Sequence, residues 1–240
     1  MSLMDYKQTL VEHLSELRGR VVISLISLGL ATAVSWSFVP PLLSFLKKPA
    51  AGVIEKLVFF SPHEALMIYM RVAFLSGLII SMPVILYQLW LFVRPAMEKK
   101  LRKHVAYFIF FSSLAFIMGC VFAYSVIIPP ALKFCLSFAG QDLVPLISAD
   151  KYISFITGLI MGTGAVFQMP VLSFILTKLG VINARLLRGK YRFAIVGVFV
   201  VAAIITPTPD AFNMLLLAVP MLLLYELSIW VSFFARPKLK

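Results

Sequence analysis

The chain has 240 residues, 61% of them hydrophobic and 13% charged, with a formal net charge of +12. A soluble domain is about half apolar and about a quarter charged, so this composition excludes an ordinary soluble fold and indicates an all-α polytopic membrane protein. The basic residues lie mainly between apolar runs, where they set topology, and they do not imply a nucleic-acid partner.

The N-terminal stretch "VEHLSELRGR" (11–20) precedes the first apolar run. Leu10, Leu14, Leu17 and Val21 recur at helical spacing, and Glu12, Glu16 and Arg20 follow at i+4 steps on another face. This pattern predicts an interfacial helix over about 5–20, with Glu16 able to pair with Arg20. Acids are out of place against an anionic leaflet. A carboxylate there suits a cationic partner, because arginine binds carboxylate through a planar fork. Anchoring and recognition both remain open for this helix on the residues alone.

Charge-free runs follow at Val21–Val39, Val72–Val93, Val105–Leu132 and Tyr152–Thr177, each long enough to cross a bilayer. Phe193–Ile205 and Ala211–Tyr225 are shorter, 13 and 15 residues, and are separated by "TPTPD". They read as a tight hairpin of two short helices. The predicted spans are about 21–39, 64–93, 105–133, 151–177, 192–206 and 210–234, six helices in one membrane domain. "ATA" at 31–33 is like a cleavage site, but the preceding 20 residues carry acids and the apolar run continues, so an uncleaved first span is expected.

Before the second span, "SPHE" reads as a helix start, with Ser61 as cap, Pro62 in the first turn and Glu64 reaching back. Arg71 is then expected near the interface as a snorkelling anchor. Near the end of this span, Pro83 predicts a kink, and Tyr87 and Trp90 predict interfacial aromatics. Of the 22 Lys and Arg, sixteen fall on the side of the two termini and five on the other, with Arg71 inside a span. That asymmetry predicts both termini in the cytoplasm. Cys120 and Cys135 have no metal-ligand spacing and read as packing residues. No hydrolase, Walker, dinucleotide or zinc motif is present. A small-solute transporter needs a continuous polar path, and Arg71, Gln168 and Glu226 are spread over three spans.

Seven segments occur in order: "HLSELRGR", "SPHEAL", "PVILYQLWLFVRPAM", "FAYSVIIPPALKF", "QMPV", "TPTPDAF" and "PMLLLYELSIW". Together they resemble the TatC family, the signal-peptide receptor of the twin-arginine protein translocase. The resemblance covers nearly the whole chain. It implies a cup of six helices in the cytoplasmic (inner) membrane, the last two short and both termini cytoplasmic. It further implies binding of twin-arginine signal peptides of folded proteins, recruitment of TatA- and TatB-type single-span partners, self-association, and transport driven by the proton-motive force without cofactor, metal or catalysis.

The resemblance carries residue roles onto Glu16 and Arg18 of the first motif and onto Phe92 and Pro95 of the third. The family's second acid falls on Leu101 here. Glu98, nearly one helical turn earlier, is the expected substitute. Gln168 stands where many relatives carry Glu. It is expected to bond the Val166 carbonyl that Pro170 frees, or to line a peptide cavity, and its neutrality argues against a proton relay at this position. By its residues, Asp210 follows a Thr208 cap and Pro209 in the first turn of the last helix. The resemblance adds a role in translocation. Met214, Leu217 and Met221 read as packing or as a partner-helix surface. Glu226 reads as an interfacial or partner-seating acid.

Overall fold

The structure is a computed structural model that describes residues 3–50, 57–94, 105–138, 146–206 and 210–235, with side chains described from Ser15 onward. The order is α1 Leu3–Trp36, α2 Val39–Lys47, β1 Leu57–Val58, α3 Glu64–Val93, α4 Val105–Phe122, a π-helical segment Ala123–Ile127, α5 Ile128–Ser137, β2 Ile147–Ser148, α6 Ala149–Val166, α7 Met169–Lys178, α8 Ala184–Gly189, α9 Tyr191–Ile205 and α10 Ala211–Phe234. Among the described residues, five helical stretches are long and apolar enough to cross a membrane: 15–36, 64–93, 105–137, 149–178 and 211–234. α9 is a shorter apolar helix of 15 residues.

The predicted interfacial helix is not a separate element. It continues into the first span as one helix of 34 residues, because neither proline nor a helix-stop signal separates 3–20 from 21–36. The run 211–225 also understates α10, which passes Glu226 and reaches Phe234, 24 residues in all. A single charge ends an apolar run without ending a helix.

Prolines shape the other long spans. Pro129 and Pro130 lack N–H donors. Just before them the chain loosens into the π segment, and the Ile128 N–H reaches back to the Ala123 carbonyl. Pro170 divides the fourth span into α6 and α7, with Phe167 and Gln168 between them. The chain leaves α7 through Gly180, whose φ of 75° suits glycine, and the Val181 N–H closes the turn on the Leu176 carbonyl at 3.0 Å.

The main core gathers Ile68, Val72, Phe116, Ile127, Ile153, Ile156, Leu159, Leu217 and Met221 from the middle of the bundle. Glycines permit the closest helix approaches. A Cβ on Gly119 would lie 2.9 Å from the Gly164 Cα, so α4 and α6 meet backbone to backbone. A Cβ on Gly77 would lie 2.7 Å from both the Thr32 Cα and N, which sets the contact of α3 with α1. α1 packs chiefly on α3, and Leu25, Ile26, Leu30 and Val34 remain exposed, as suits a lipid-facing helix.

One end of the bundle is tied by polar contacts. β1 and β2 pair in parallel, Leu57 with Ile147 and Val58 with Ser148. Ser148 caps α6 and donates to Glu64 Oε2 at 3.1 Å. Glu64 therefore does not reach back to Ser61 as a capping box would. α3 begins at Glu64 behind His63, which makes no side-chain cap bond. Arg71 is an ion-pair partner as well as an interfacial cation: its Nη1 lies 2.7 Å from Asp150 Oδ1 and also donates to the Asp150 carbonyl. Tyr124 and Tyr152 donate to the Phe45 and Leu46 carbonyls at 2.8 and 2.9 Å, seating α2 on the bundle.

Candidate functional site: a cleft between the first two spans

Glu16 and Arg20 lie one helical turn apart on α1 and form an ion pair. Arg20 Nε also donates to Glu16 Oε1, at 3.2 Å. The carboxylate is thus already held by a guanidinium of its own helix, with both side chains partly exposed. Immediately below it α1 and α3 enclose a cavity of about 330 Å³. Its α1 wall is Leu17, Arg20, Val21, Ser24, Leu25 and Leu28, and its α3 wall is Ile85, Gln88, Leu89 and Phe92. Both sets follow the three-and-four spacing of a single helix face. The cavity is therefore a seam where two facing stripes stand slightly apart.

The site residues predicted from sequence sort unevenly about this seam. Glu16 is at its mouth through Arg20, and Phe92 is in its wall. Arg18 is exposed on another side of α1, since two residues turn a helix by about 200°. The basic residue that the fold brings to the cleft is Arg20. Pro95 and Glu98 lie outside the described residues, as do Leu101, Thr208 and Pro209. Gln88 went unnoticed in the sequence reading. Its polarity in the otherwise apolar "PVILYQLWLF" was the available signal. It is 8% exposed, and its Oε1 is buried without a hydrogen-bond partner.

The remaining sequence-predicted residues stand elsewhere. Gln168 is 7% exposed, and its Nε2 donates to the Ser112 carbonyl of α4 at 3.1 Å. The expected bond to the Val166 carbonyl is replaced by this cross-helix bond, because the break between α6 and α7 turns the amide toward α4. Asp210 is itself the cap of α10: Oδ1 accepts the Asn213 N–H at 2.7 Å and Oδ2 accepts Asn213 Nδ2 at 2.8 Å. Thr208 is thus not the cap. Asn213 also donates to Cys135 Sγ at 3.4 Å. Cys120 is buried, Cys135 partly so, and both are free thiols.

Met221 is 2% exposed within the main core, which leaves it no face for a partner helix, and Leu217 is fully buried beside it. Met214 is partly buried against the same core. The outward face of α10 is instead Leu215, Val219, Leu223, Leu227 and Trp230. Glu226 is half-buried next to Tyr225, whose hydroxyl donates to the Leu187 carbonyl at 2.7 Å and ties α8 to α10. No cluster of three or more metal-ligating side chains occurs among the described residues.

This arrangement agrees with what the chain is similar to. The model of the family described as "Sec-independent protein translocase protein (TatC)" matches residues 12–220. That match spans the α1 acid, the cleft, the proline-broken spans and the first part of α10. The Sec-independent protein translocase protein TatC of Koribacter versatilis (strain Ellin345) is 37% identical over 234 residues, covering 95% of this chain and 86% of that one. The corresponding protein of Aquifex aeolicus (strain VF5) is 37% identical over 235 residues, covering 96% and 97%. A crystal structure described as the twin arginine translocase receptor TatC superposes with a TM-score of 0.84 at 36% identity, covering 93% of this chain and 99% of that one. A second crystal structure of that receptor, in DDM, gives 0.83 at 37% identity. Family model, full-length relatives and fold agree over nearly the whole chain, which belongs to the TatC family of protein translocase components and is not an enzyme.

Proposed function

We propose that this chain is the signal-peptide receptor of a twin-arginine translocase, and that the cleft between α1 and α3 is where it takes hold of the peptide. The observation that carries this reading is the Glu16 carboxylate, held by a guanidinium at the mouth of an apolar cavity that Phe92 helps to line. A site that binds one guanidinium in cis has the chemistry to bind another in trans. A planar fork on a carboxylate distinguishes arginine from lysine, which brings only a point charge. The apolar walls suit the hydrophobic part of a signal peptide.

In this reading the chain crosses the cytoplasmic membrane six times with both termini inside, α9 being the shortest crossing. The lysine and arginine distribution supports that orientation. Pro95 and Glu98 extend the recognition surface beyond Phe92. The outward face of α9 and α10 receives single-span TatA- and TatB-type partners, with Asp210, Met214 and Glu226 near that surface, and copies of the chain associate in the working complex. A folded substrate is wider than the interior of one six-helix bundle, so its passage forms with partners and draws on the proton-motive force.

The test is capture by a tethered twin-arginine peptide, compared with the same peptide carrying twin lysine, alongside crosslinking from position 16. Preferential capture of the arginine peptide and a crosslink that Glu16→Gln weakens are expected. Equal capture of both peptides would count against the receptor reading.

A further inference from the structure

Gln88 is out of keeping with its surroundings. Most of the cavity wall around it is apolar: Leu17, Val21, Leu25 and Leu28 on α1, and Ile85 and Leu89 on its own helix, with Arg20 and Ser24 as the polar members. A leucine would pack there. The glutamine instead buries an acceptor, Oε1, with no partner, and a buried acceptor left unpaired carries a desolvation penalty that an apolar side chain avoids. The acceptor is suited to a donor that arrives.

The position of Gln88 identifies the donor. It lies five residues before the end of α3, about 7.5 Å along the helix, in the same cavity wall as Phe92 and opposite Arg20. Arg20 turns its Nε and Nη2 to Glu16, and no bond joins it to Gln88 Oε1. A peptide with two adjacent arginines brings two planar forks to a mouth that, among the described residues, holds one carboxylate, Glu16. One guanidinium can take Glu16. The other also needs an acceptor, and the amide oxygen of Gln88, unpartnered in the cavity wall, can take a guanidinium N–H without breaking an existing bond.

We infer that Gln88 is a specificity-determining residue for the arginine pair: its Oε1 accepts a hydrogen bond from the second guanidinium while Glu16 takes the first. The inference rests on the cleft being the signal-peptide seat. It assigns the cleft two unlike subsites, one anionic at the mouth and one neutral and deeper.

The experiment measures binding of three peptides (Arg-Arg, Arg-Lys and Lys-Arg at the pair) to the purified full chain and to its Gln88→Leu, Gln88→Asn and Glu16→Gln variants, with thermal melting of each. Gln88→Leu is expected to bind the Arg-Arg peptide about tenfold more weakly, the range for a hydrogen bond from a charged donor. It is expected to melt no lower than the parent. One of the two single-lysine replacements then ceases to matter in Gln88→Leu, and the other ceases to matter in Glu16→Gln. Gln88→Asn, which keeps the amide on a shorter stem, binds at an intermediate level.

Binding of Arg-Arg by Gln88→Leu within twofold of the parent would overturn the inference, as would equal weakening of all three peptides. A marked fall in melting temperature would overturn it too, since the amide would then be a structural group. If Glu16→Gln also leaves Arg-Arg binding unchanged, the receptor reading of the cleft fails with it. If Glu16→Gln weakens binding and Gln88→Leu does not, only the role of Gln88 is lost.

Discussion

Gly77→Ala tests the contact that sets the width of the cleft. The added Cβ would lie 2.4 Å from Thr32 Oγ1 and 2.7 Å from the Thr32 backbone Cα and N. The hydroxyl can rotate away, but the backbone cannot. Restoring an ordinary separation of 3.4 Å from 2.7 Å moves α1 off α3 by about 0.7 Å. Overpacking of this kind costs about 1–3 kcal/mol. The same substitution also gains helix propensity, about 0.5–1 kcal/mol for glycine to alanine inside a helix. Gly29 supplies the control. It lies in α1, with nothing within 4 Å of a Cβ added there, so Gly29→Ala carries the propensity gain alone. The difference between the two variants isolates the packing cost. At 2–4 °C per kcal/mol for a chain of this size, Gly77→Ala should melt roughly 2–12 °C below Gly29→Ala in detergent. Crosslinking of a twin-arginine peptide from position 16 should weaken in Gly77→Ala and persist in Gly29→Ala. Equal melting of the two variants would refute a backbone contact at this position.

Exchanging the Arg71–Asp150 pair, as Arg71→Asp with Asp150→Arg, should recover most of the stability that either single change loses; the coupling stays below about 1 kcal/mol because the arginine side chain is 38% exposed, and a double-mutant cycle on melting reads it. Tyr225→Phe should cost about 1 kcal/mol by removing the bond to the Leu187 carbonyl, and hydrogen exchange over 184–190 should quicken. Gln168→Leu should cost only about 1 kcal/mol of stability for the lost bond to Ser112, read as a small fall in melting temperature, and leave export running in cells, because a neutral amide relays no proton there. Glu98→Ala should weaken peptide crosslinking more than Glu12→Ala does; equal and negligible effects would remove Glu98 from the site.

The spans were legible because each is a long charge-free run, and the one ion pair predicted within a helix, Glu16 with Arg20, follows from i+4 spacing alone. What failed to show was contact across the chain. Arg71 read as a lone anchor because its partner Asp150 is 79 residues away. Gln168 was assigned the nearest freed carbonyl because proline chemistry is local, whereas the break it produces aims the amide at Ser112, 56 residues away. Asp210 is two positions closer to the helix start than a Thr208 cap implies, because "TPTPD" holds several cap-type residues and the side-chain bond to the Asn213 N–H is made by Asp210.

Arg18 and Gln88 show what a motif can and cannot specify at a site. The motif joins Glu16 and Arg18 as neighbours in sequence, yet two residues along a helix point to opposite sides. The fold keeps Glu16 at the cleft with Arg20 and leaves Arg18 in solvent. Gln88 has the reverse history: one polar letter in an apolar run, significant only when α1 is seen to lie across it and to offer it no donor. The carboxylate at the mouth answers the acid question that "VEHLSELRGR" raises, because an acid tolerated beside an anionic leaflet needs a standing cation. Arg20 supplies it at rest. The same requirement makes the site reversible. On the proposed reading an incoming arginine exchanges with Arg20 rather than neutralising a bare charge, so its gain at Glu16 is partly offset and the deeper walls and Gln88 add to it. Discrimination between arginine and lysine should therefore depend on the cleft's interior at least as much as on its acid.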